Sequence, residues 1–242
     1  MKILIAGESC VDEFIYCQTS RLNPEAPTPV VVPNNIVRNF GMAANVVSHF
    51  QNLKIEFDFL TNLNQITKTR YVDETSNYIL LRVDSGETSI KPLDTQVDFS
   101  KYDFTIISDY NKGLLTQDYL KYLIDNSKLA FLDTKKILGD WSKNAWVKIN
   151  EKEYKQNILN NATINYEKTV ITFGKKGAVY GSNMISPDKE IVARDVVGAG
   201  DTFHVFFALT FFQTQDIIHS IKNANHYAGL SCQKRGVASK FE

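Results

Sequence analysis

Cysteine is scarce, and its placement excludes two chemistries. Cys10, Cys17 and Cys232 are the only three, too few for a disulfide framework and at spacings that match no zinc pattern, so reduced thiols are expected. Histidine is almost as rare. The four, at 49, 204, 219 and 226, form no H-E-x-x-H pair, and His226 falls in a stretch of helical period where a structural role is expected. Charge of one sign is not in excess: Lys plus Arg and Asp plus Glu each number 27. A chain without net charge has no long-range field to gather nucleic acid or an anionic membrane. Long apolar runs are missing too. The densest, 203–212, is interrupted by His204 and Thr210 and falls far short of the ~20 residues of a membrane span. After Met1-Lys2 the chain enters Ile3-Leu4-Ile5-Ala6-Gly7, which reads as a strand rather than a signal-peptide core. The expectation is a cytoplasmic protein that binds neither nucleic acid nor membrane. No internal repeat or low-complexity tract is visible.

What is present is an ordinary globular balance, 43% apolar and 22% charged, which gives no compositional case for disorder. Short runs rich in β-branched residues, at 2–6, 55–60, 104–108, 129–133, 146–149 and 168–173, alternate with segments of helical period at 42–52, 116–126, 151–160, 202–213 and 215–234. That alternation predicts an α/β fold with a mostly parallel sheet flanked by helices. Two stretches break the rhythm. One runs from Phe14 to Val37 and carries Pro24, Pro27, Pro29 and Pro33; the other pairs TRYVDE with NYILLRV across Thr75-Ser76. Both read as hairpin strands. They predict a small β-sheet lid, built from excursions at about 13–38 and 68–84, within a single domain spanning 1–242. Two long loops are the other reading, and loops of that length are uncommon in compact domains.

The most informative segment is Asp195-Val-Val-Gly-Ala-Gly-Asp-Thr-Phe203, between a predicted strand at 190–193 and the apolar helix. Gly198, Ala199 and Gly200 carry almost no side chain, so their amides can approach a ligand. They lie at a helix N-terminus, where unpaired N–H groups and the macrodipole favour an anion. Asp201 follows in the first turn, close to where a phosphoryl group would sit and able to take a proton from an attacking hydroxyl. An aspartate there also serves as an ordinary helix cap. A G-x-G-x-x-G reading fails because position 203 is Phe, and no G-x-x-x-x-G-K-[ST] occurs.

The run DVVGAGDTFHV resembles the C-terminal signature of ribokinase-like (PfkB) carbohydrate kinases, and the resemblance extends over nearly the whole chain in the family's order. It implies the ribokinase-like fold, ATP and Mg2+ as cofactors, an anion hole at Gly198, Ala199 and Gly200, and Asp201 as the catalytic base. Gly7 to Asp12 looks like the first-strand turn whose last Asp binds acceptor hydroxyls, which places that role on Asp12. Gly41-Met-Ala-Ala-Asn45 resembles the Gly-Gly-x-x-x-Asn substrate loop, with Met42 in place of the second glycine. Asn150-Glu-Lys-Glu153 is similar to the Asn-x-x-Glu motif that organises magnesium and phosphate through water. Gly174 and Gly177 resemble the nucleotide-side loop, and Asn225 stands where the family borders the adenine.

Three further stretches, 20–30, 108–113 and the pair 67–70 with 81–84, are similar to the heptose-7-phosphate kinase domain of ADP-heptose synthesis enzymes. That likeness implies an anomeric hydroxyl of a phosphorylated sugar as acceptor. It makes Arg21, Arg38, Lys68, Arg70, Arg82 and Lys112 candidate cationic contacts. The lid strands of the family often pair between subunits, so a homodimer through the lid is expected. The chain is shorter than the family's norm, and the loss falls between Leu60 and Thr67, where a helix and strand are missing. Val197, His204 and Val205 also depart from the usual residues. Two alternatives follow: a degenerate kinase that binds a nucleotide or sugar phosphate as a regulator, and a kinase for another sugar or a nucleoside.

Overall fold

The computed structural model describes residues 1–188 and 195–233. The main sheet is built from β1 (Lys2–Gly7), β4 (Glu56–Leu60), β7 (Phe104–Asp109), β8 (Ala130–Thr134), β9 (Trp146–Asn150) and β10 (Thr169–Thr172), extended by β11 (Ala178–Tyr180) and β12 (Asn183–Ile185). Its order is β12-β11-β10-β9-β8-β7-β1-β4. Pairings from β4 through β10 are parallel, and β11 and β12 add an antiparallel edge. Successive residues of the central strands enter opposite cores. Ile3, Ile5, Ile106 and Phe131 pack with α1 (Ala43–Asn52), α4 (Ala199–Thr214) and α5 (Ile217–Cys232). Leu4, Ala6, Ile107 and Leu132 pack with α2 (Gln117–Asn126) on the other face. A sheet covered on both faces needs continuous rather than alternating apolar strands, which is how these segments read. Helix α3 (Glu151–Leu159) follows β9. Helix α4 is buried along its length from Asp201 to Phe211. This explains the dense apolar run: it lies between the sheet and α5 rather than facing solvent.

The two excursions form a second, four-stranded sheet, β3-β2-β5-β6. Its strands are β2 (Ser9–Leu22), β3 (Pro29–Met42), β5 (Ile66–Asp73) and β6 (Ile79–Ser85), longer than the sequence suggested. β2 pairs antiparallel with β3 and parallel with β5, and β5 pairs antiparallel with β6. Pro29 and Pro33 sit in β3, an edge strand, where a missing N–H costs little. The Thr75-Ser76 turn is closed by Asp73, which accepts from the Ser76 amide at 2.8 Å.

Several details differ from expectation. Helix α4 begins at Ala199 rather than 202, because Gly198 adopts φ 80° and turns the chain into the helix. The hairpin of β11 and β12 was not anticipated; three-residue strands leave little periodicity to read. The strand predicted at 190–193 and the last residue of the predicted 215–234 helix lie outside the described residues. β4 ends the sheet, and residues 61–65 run straight into β5, as the missing segment implied. The three cysteines are free thiols, and among the described residues no helix is long and apolar enough to cross a membrane.

Candidate active site

The first turn of α4 meets Asn45, in α1, and Tyr110, on the loop after β7. No side chain caps it. The Ala199 amide turns back to the Val196 carbonyl at 3.3 Å, whereas no bond from the Gly200 or Asp201 amides is seen among the described residues. No bond from the Gly198 amide is seen there either, so of the predicted hole, 198–200, the open donors are those of 198 and 200, joined by that of 201. Asp201 does not cap the helix. Its carboxylate accepts from Asn45 Nδ2 on one oxygen and from the Tyr110 hydroxyl on the other, both at 2.9 Å. Asp201 is buried. Burial pushes its pKa up to about 6, helped by the charge of Asp133 and opposed by the Asn45 and Tyr110 hydrogen bonds and by Lys148. A carboxylate so placed is ionised at neutral pH yet basic enough to accept a proton.

Tyr110 was not identified from the sequence. It is held by Glu8, a buried carboxylate that accepts from the amides of Tyr110 at 2.8 Å, Lys112 at 3.0 Å and Leu114 at 3.3 Å. The end of β1 thus fixes the loop after β7, and that loop fixes Asp201. Glu8 lies inside the GESCVD segment already singled out; an acidic residue ending a buried strand was the available signal. Cys10, nearby in β2, is inert, because burial pushes its thiol up to about 12.

On one side of Asp201 lies a cleft of about 680 Å³ lined by Lys148, Asn150, Gly174, Gly177, Ala199, Gly200 and Asn225 among others. The structure brings the predicted nucleotide-side residues together there. Gly177 is required by the turn as well: at φ +97° an added Cβ would stand 2.2 Å from the Ile185 carbonyl. Asn225 donates to that same carbonyl at 2.8 Å. Lys148, missed in the sequence, is buried and pairs with Asp133 at 2.6 Å. Its Nζ would stand 3.1 Å from a Cβ at Gly200, which sets a cation directly beside the anion hole. Opposite charges at matched positions of two buried strands, β8 and β9, were the legible sign.

Asn150 and Glu153 form a reciprocal helix cap. Asn150 Oδ1 accepts from the Glu153 amide at 2.9 Å, and Glu153 accepts from the Asn150 amide at 2.8 Å. The other Glu153 oxygen pairs with Lys135 at 2.9 Å. Asn150 lines the cleft and Glu153 does not. With these oxygens already engaged and no cluster of three metal-binding side chains among the described residues, the donor set does not fit direct ligation of magnesium.

On the other side of Asp201 stands the lid. Asp12 is buried and paired with Arg70 at 2.5 Å. Gly41 faces it: an added Cβ would lie 2.1 Å from Asp12 Oδ2 and 2.6 Å from Cys10 Sγ. Met42 keeps the glycine-like φ of 56° and packs with Cys10 and Ile66. The other cations proposed from sequence are largely engaged. Arg38 pairs with Glu13, Arg82 with Asp84, and Lys68 and Lys112 with Glu87. Arg21 is exposed near the far end of β2, nine positions beyond Asp12, so this chain does not bring it to Asp201.

A family model described as pfkB family carbohydrate kinase matches residues 98–242. Curated relatives include the bifunctional protein HldE of Bradyrhizobium diazoefficiens, 24% identical over 297 positions that cover 98% of this chain and 60% of that protein. The bifunctional protein HldE of Campylobacter jejuni subsp. doylei is 27% identical, with 98% and 62% covered. The chain therefore spans about three fifths of the length of these relatives. Among solved structures, a nucleoside kinase of Methanocaldococcus jannaschii, a ribokinase-family member, superposes with TM-score 0.68 at 14% identity, covering 98% of this chain and 93% of that one. Arabidopsis thaliana ribokinase, complexed with ribose and ATP, gives TM-score 0.69 at 12% identity, covering 98% and 94%. These likenesses establish the ribokinase-like fold.

Proposed function

The chain belongs to the pfkB family of carbohydrate kinases, and on that premise we propose that it transfers the γ-phosphoryl group of ATP to a hydroxyl of a phosphorylated sugar. The acceptor class that fits best is heptose-7-phosphate-like, phosphorylated at the anomeric position. The observation that carries the reading is the placement of Asp201. It lies at the uncapped first turn of α4, in contact with Asn45 and Tyr110 and beside the cleft that holds Gly200 and Lys148.

ATP would lie along Gly174, Gly177 and Asn225, with its terminal phosphates at the Gly200 and Asp201 amides. The acceptor would lie under the lid, oriented by Asp12, Gly41 and Asn45. Asp201 takes the proton from the attacking hydroxyl, the oxygen forms its bond to the γ-phosphorus, and the bond to the β-phosphate oxygen breaks to release ADP. The amides and Lys148 offset the negative charge that accumulates. Magnesium, when bound with the nucleotide, would screen the phosphates; Asn150 would meet it through water. Closure of the lid would exclude water from the transfer. The outer lid face exposes Ile36, Phe40, Leu81 and Val83, an apolar surface suited to the matching face of a second copy in a homodimer.

A second reading has its own support. Met42 and Val197 stand in place of the usual residues and the stretch between β4 and β5 is short, departures that suit a nucleotide- or sugar-phosphate-binding regulator. Turnover decides between them. The protein with ATP and Mg2+ is offered heptose 7-phosphate, hexose phosphates, free sugars and nucleosides, and ADP release is followed. The kinase reading expects turnover on a sugar phosphate. ATP binding with no turnover on any acceptor would reject it in favour of the regulator.

A further inference from the structure

Glu87 bridges two lysines that come from different parts of the fold. Its Oε1 stands 3.1 Å from Lys68 Nζ, on lid strand β5, and its Oε2 stands 2.6 Å from Lys112 Nζ, on the loop after β7; Asp84 lies farther from Lys68, at 3.7 Å, and itself pairs with Arg82. A carboxylate with one oxygen on each cation has the donor arrangement of a bound phosphate with two of its oxygens engaged. Each lysine is tied by strand register or by sequence to a residue of the proposed acceptor site. Lys68 is the register partner of Asp12 in the parallel pairing of β2 with β5. Side chains at such matched positions share a sheet face, and Arg70, on that face, already bonds Asp12. Lys112 lies two residues beyond Tyr110, whose hydroxyl is on Asp201. Two residues of extended chain span at most about 7 Å, so the lysine pair lies close to both the residue that would hold acceptor hydroxyls and the one that holds the base.

The bridge is also open to exchange. The side chains of Lys68, Glu87 and Lys112 are 14%, 24% and 31% exposed, so an anion can reach them, and Glu87 can swing into water. Glu87 follows directly on Gly86, which is locked at φ +81° against the Gln65 carbonyl. The backbone is therefore fixed, and the side chain is the part free to move.

We propose that Glu87 is an internal stand-in for phosphate on Lys68 and Lys112, two of the cations already expected to contact the phosphate of the acceptor, and that it is displaced when that phosphate binds. This rests on the proposed reading of a phosphorylated acceptor and assigns its specificity to these three residues. Glu87 would also disfavour unphosphorylated sugars, because they offer nothing to replace the carboxylate on the two cations.

The test uses the full chain and two readouts. The first is calorimetric binding of inorganic phosphate to the wild type, Glu87→Gln and Lys68→Ala/Glu87→Gln. Glu87→Gln should bind phosphate about tenfold more tightly than wild type, and the double variant should lose that gain, as expected for one or two charge-assisted hydrogen bonds. The second is the ratio of KM for an aldose phosphate to KM for its unphosphorylated counterpart. Lys112→Gln, a conservative change at a part-exposed site, should raise that ratio about tenfold. Phosphate affinity equal in wild type and Glu87→Gln, or a ratio unmoved in Lys112→Gln, overturns the subsite. If no acceptor turns over while phosphate binding responds as stated, the subsite stands and the kinase reading falls. If acceptors turn over with KM indifferent to their phosphate, the kinase reading stands and the subsite falls.

Discussion

The two sides of Asp201 are built in different ways. The side proposed for the nucleotide uses backbone and buried charge: the first turn of α4, the Gly174–Gly177 turn and Lys148 sealed against Asp133. The side proposed for the acceptor uses side-chain pairs on and beside the lid: Asp12 with Arg70, which is nearly buried, and Glu87 with two lysines, which are partly open to water. Backbone donors and a buried ion pair give a site that is rigid before any ligand arrives. Partly exposed pairs in high dielectric are individually weak, so an incoming anion can replace them at little cost. On the proposed reading, the contrast separates what every phosphoryl transfer needs from what chooses the acceptor.

Asp201→Asn should strike where the two sides meet. An amide keeps the shape and still bonds Asn45 and Tyr110, since a tyrosine hydroxyl can accept as well as donate. Turnover should fall ~10²–10⁴-fold with ATP affinity retained, and a variant that turns over like wild type would refute the base assignment. Stability should move the other way. A carboxyl raised to about 6 in the folded protein costs stability as pH rises above its unfolded value, so the variant should melt higher at pH 8 and lose that advantage towards pH 4.

Lys148→Met probes the rigid side. Leaving Asp133 buried without its partner should cost ~3–5 kcal/mol, read by denaturant unfolding, and should raise KM for ATP more than KM for the acceptor. Gly41→Ala probes the lid. Its methyl would collide with Asp12 and Cys10, costing ~1–3 kcal/mol of packing, and KM for the acceptor should rise while KM for ATP does not. Equal effects on both substrates would erase the proposed division.

Tyr110→Phe is subtler. It removes one donor from Asp201, so turnover should fall roughly tenfold. The hydroxyl's bond lowers the pKa of Asp201, so its loss should shift the acid limb of the pH–rate profile, expected near pH 6 in the wild type, to higher pH. A lower rate with the limb unmoved would leave Tyr110 a merely structural role. Arg21→Ala, far along β2, should change neither KM nor turnover in the monomer; an effect confined to an assembled form would place Arg21 at a contact between copies.

Much of the rigid side was legible in the sequence. Gly198 to Asp201 form a local motif whose geometry follows from backbone sterics over a few residues, and the apolar strands declared the sheet directly. The legible part stopped at partners distant in sequence. Glu8 and Tyr110 meet across |i−j| = 102 and Tyr110 and Asp201 across |i−j| = 91, and no local pattern announces such pairs. The Asn150 and Glu153 spacing was read through family likeness as a pair that organises magnesium through water; that the two side chains also close a reciprocal cap was seen only in the structure. Six cations were named from the sequence as contacts for an anionic acceptor, but it could not say that carboxylates already paired with five of them.

The amino-acid sequence by itself determined the layered α/β order, the glycine turn and the identity of the carboxylate at its end, because propensity, hydrophobic period and backbone freedom all act over short spans. Only the tertiary structure decided the elevated pKa of Asp201, the burial of Lys148 on Asp133 and the bridging of two lysines by Glu87. Desolvation and charge pairing depend on which distant segments close over a group, and that is settled when the sheets and helices pack.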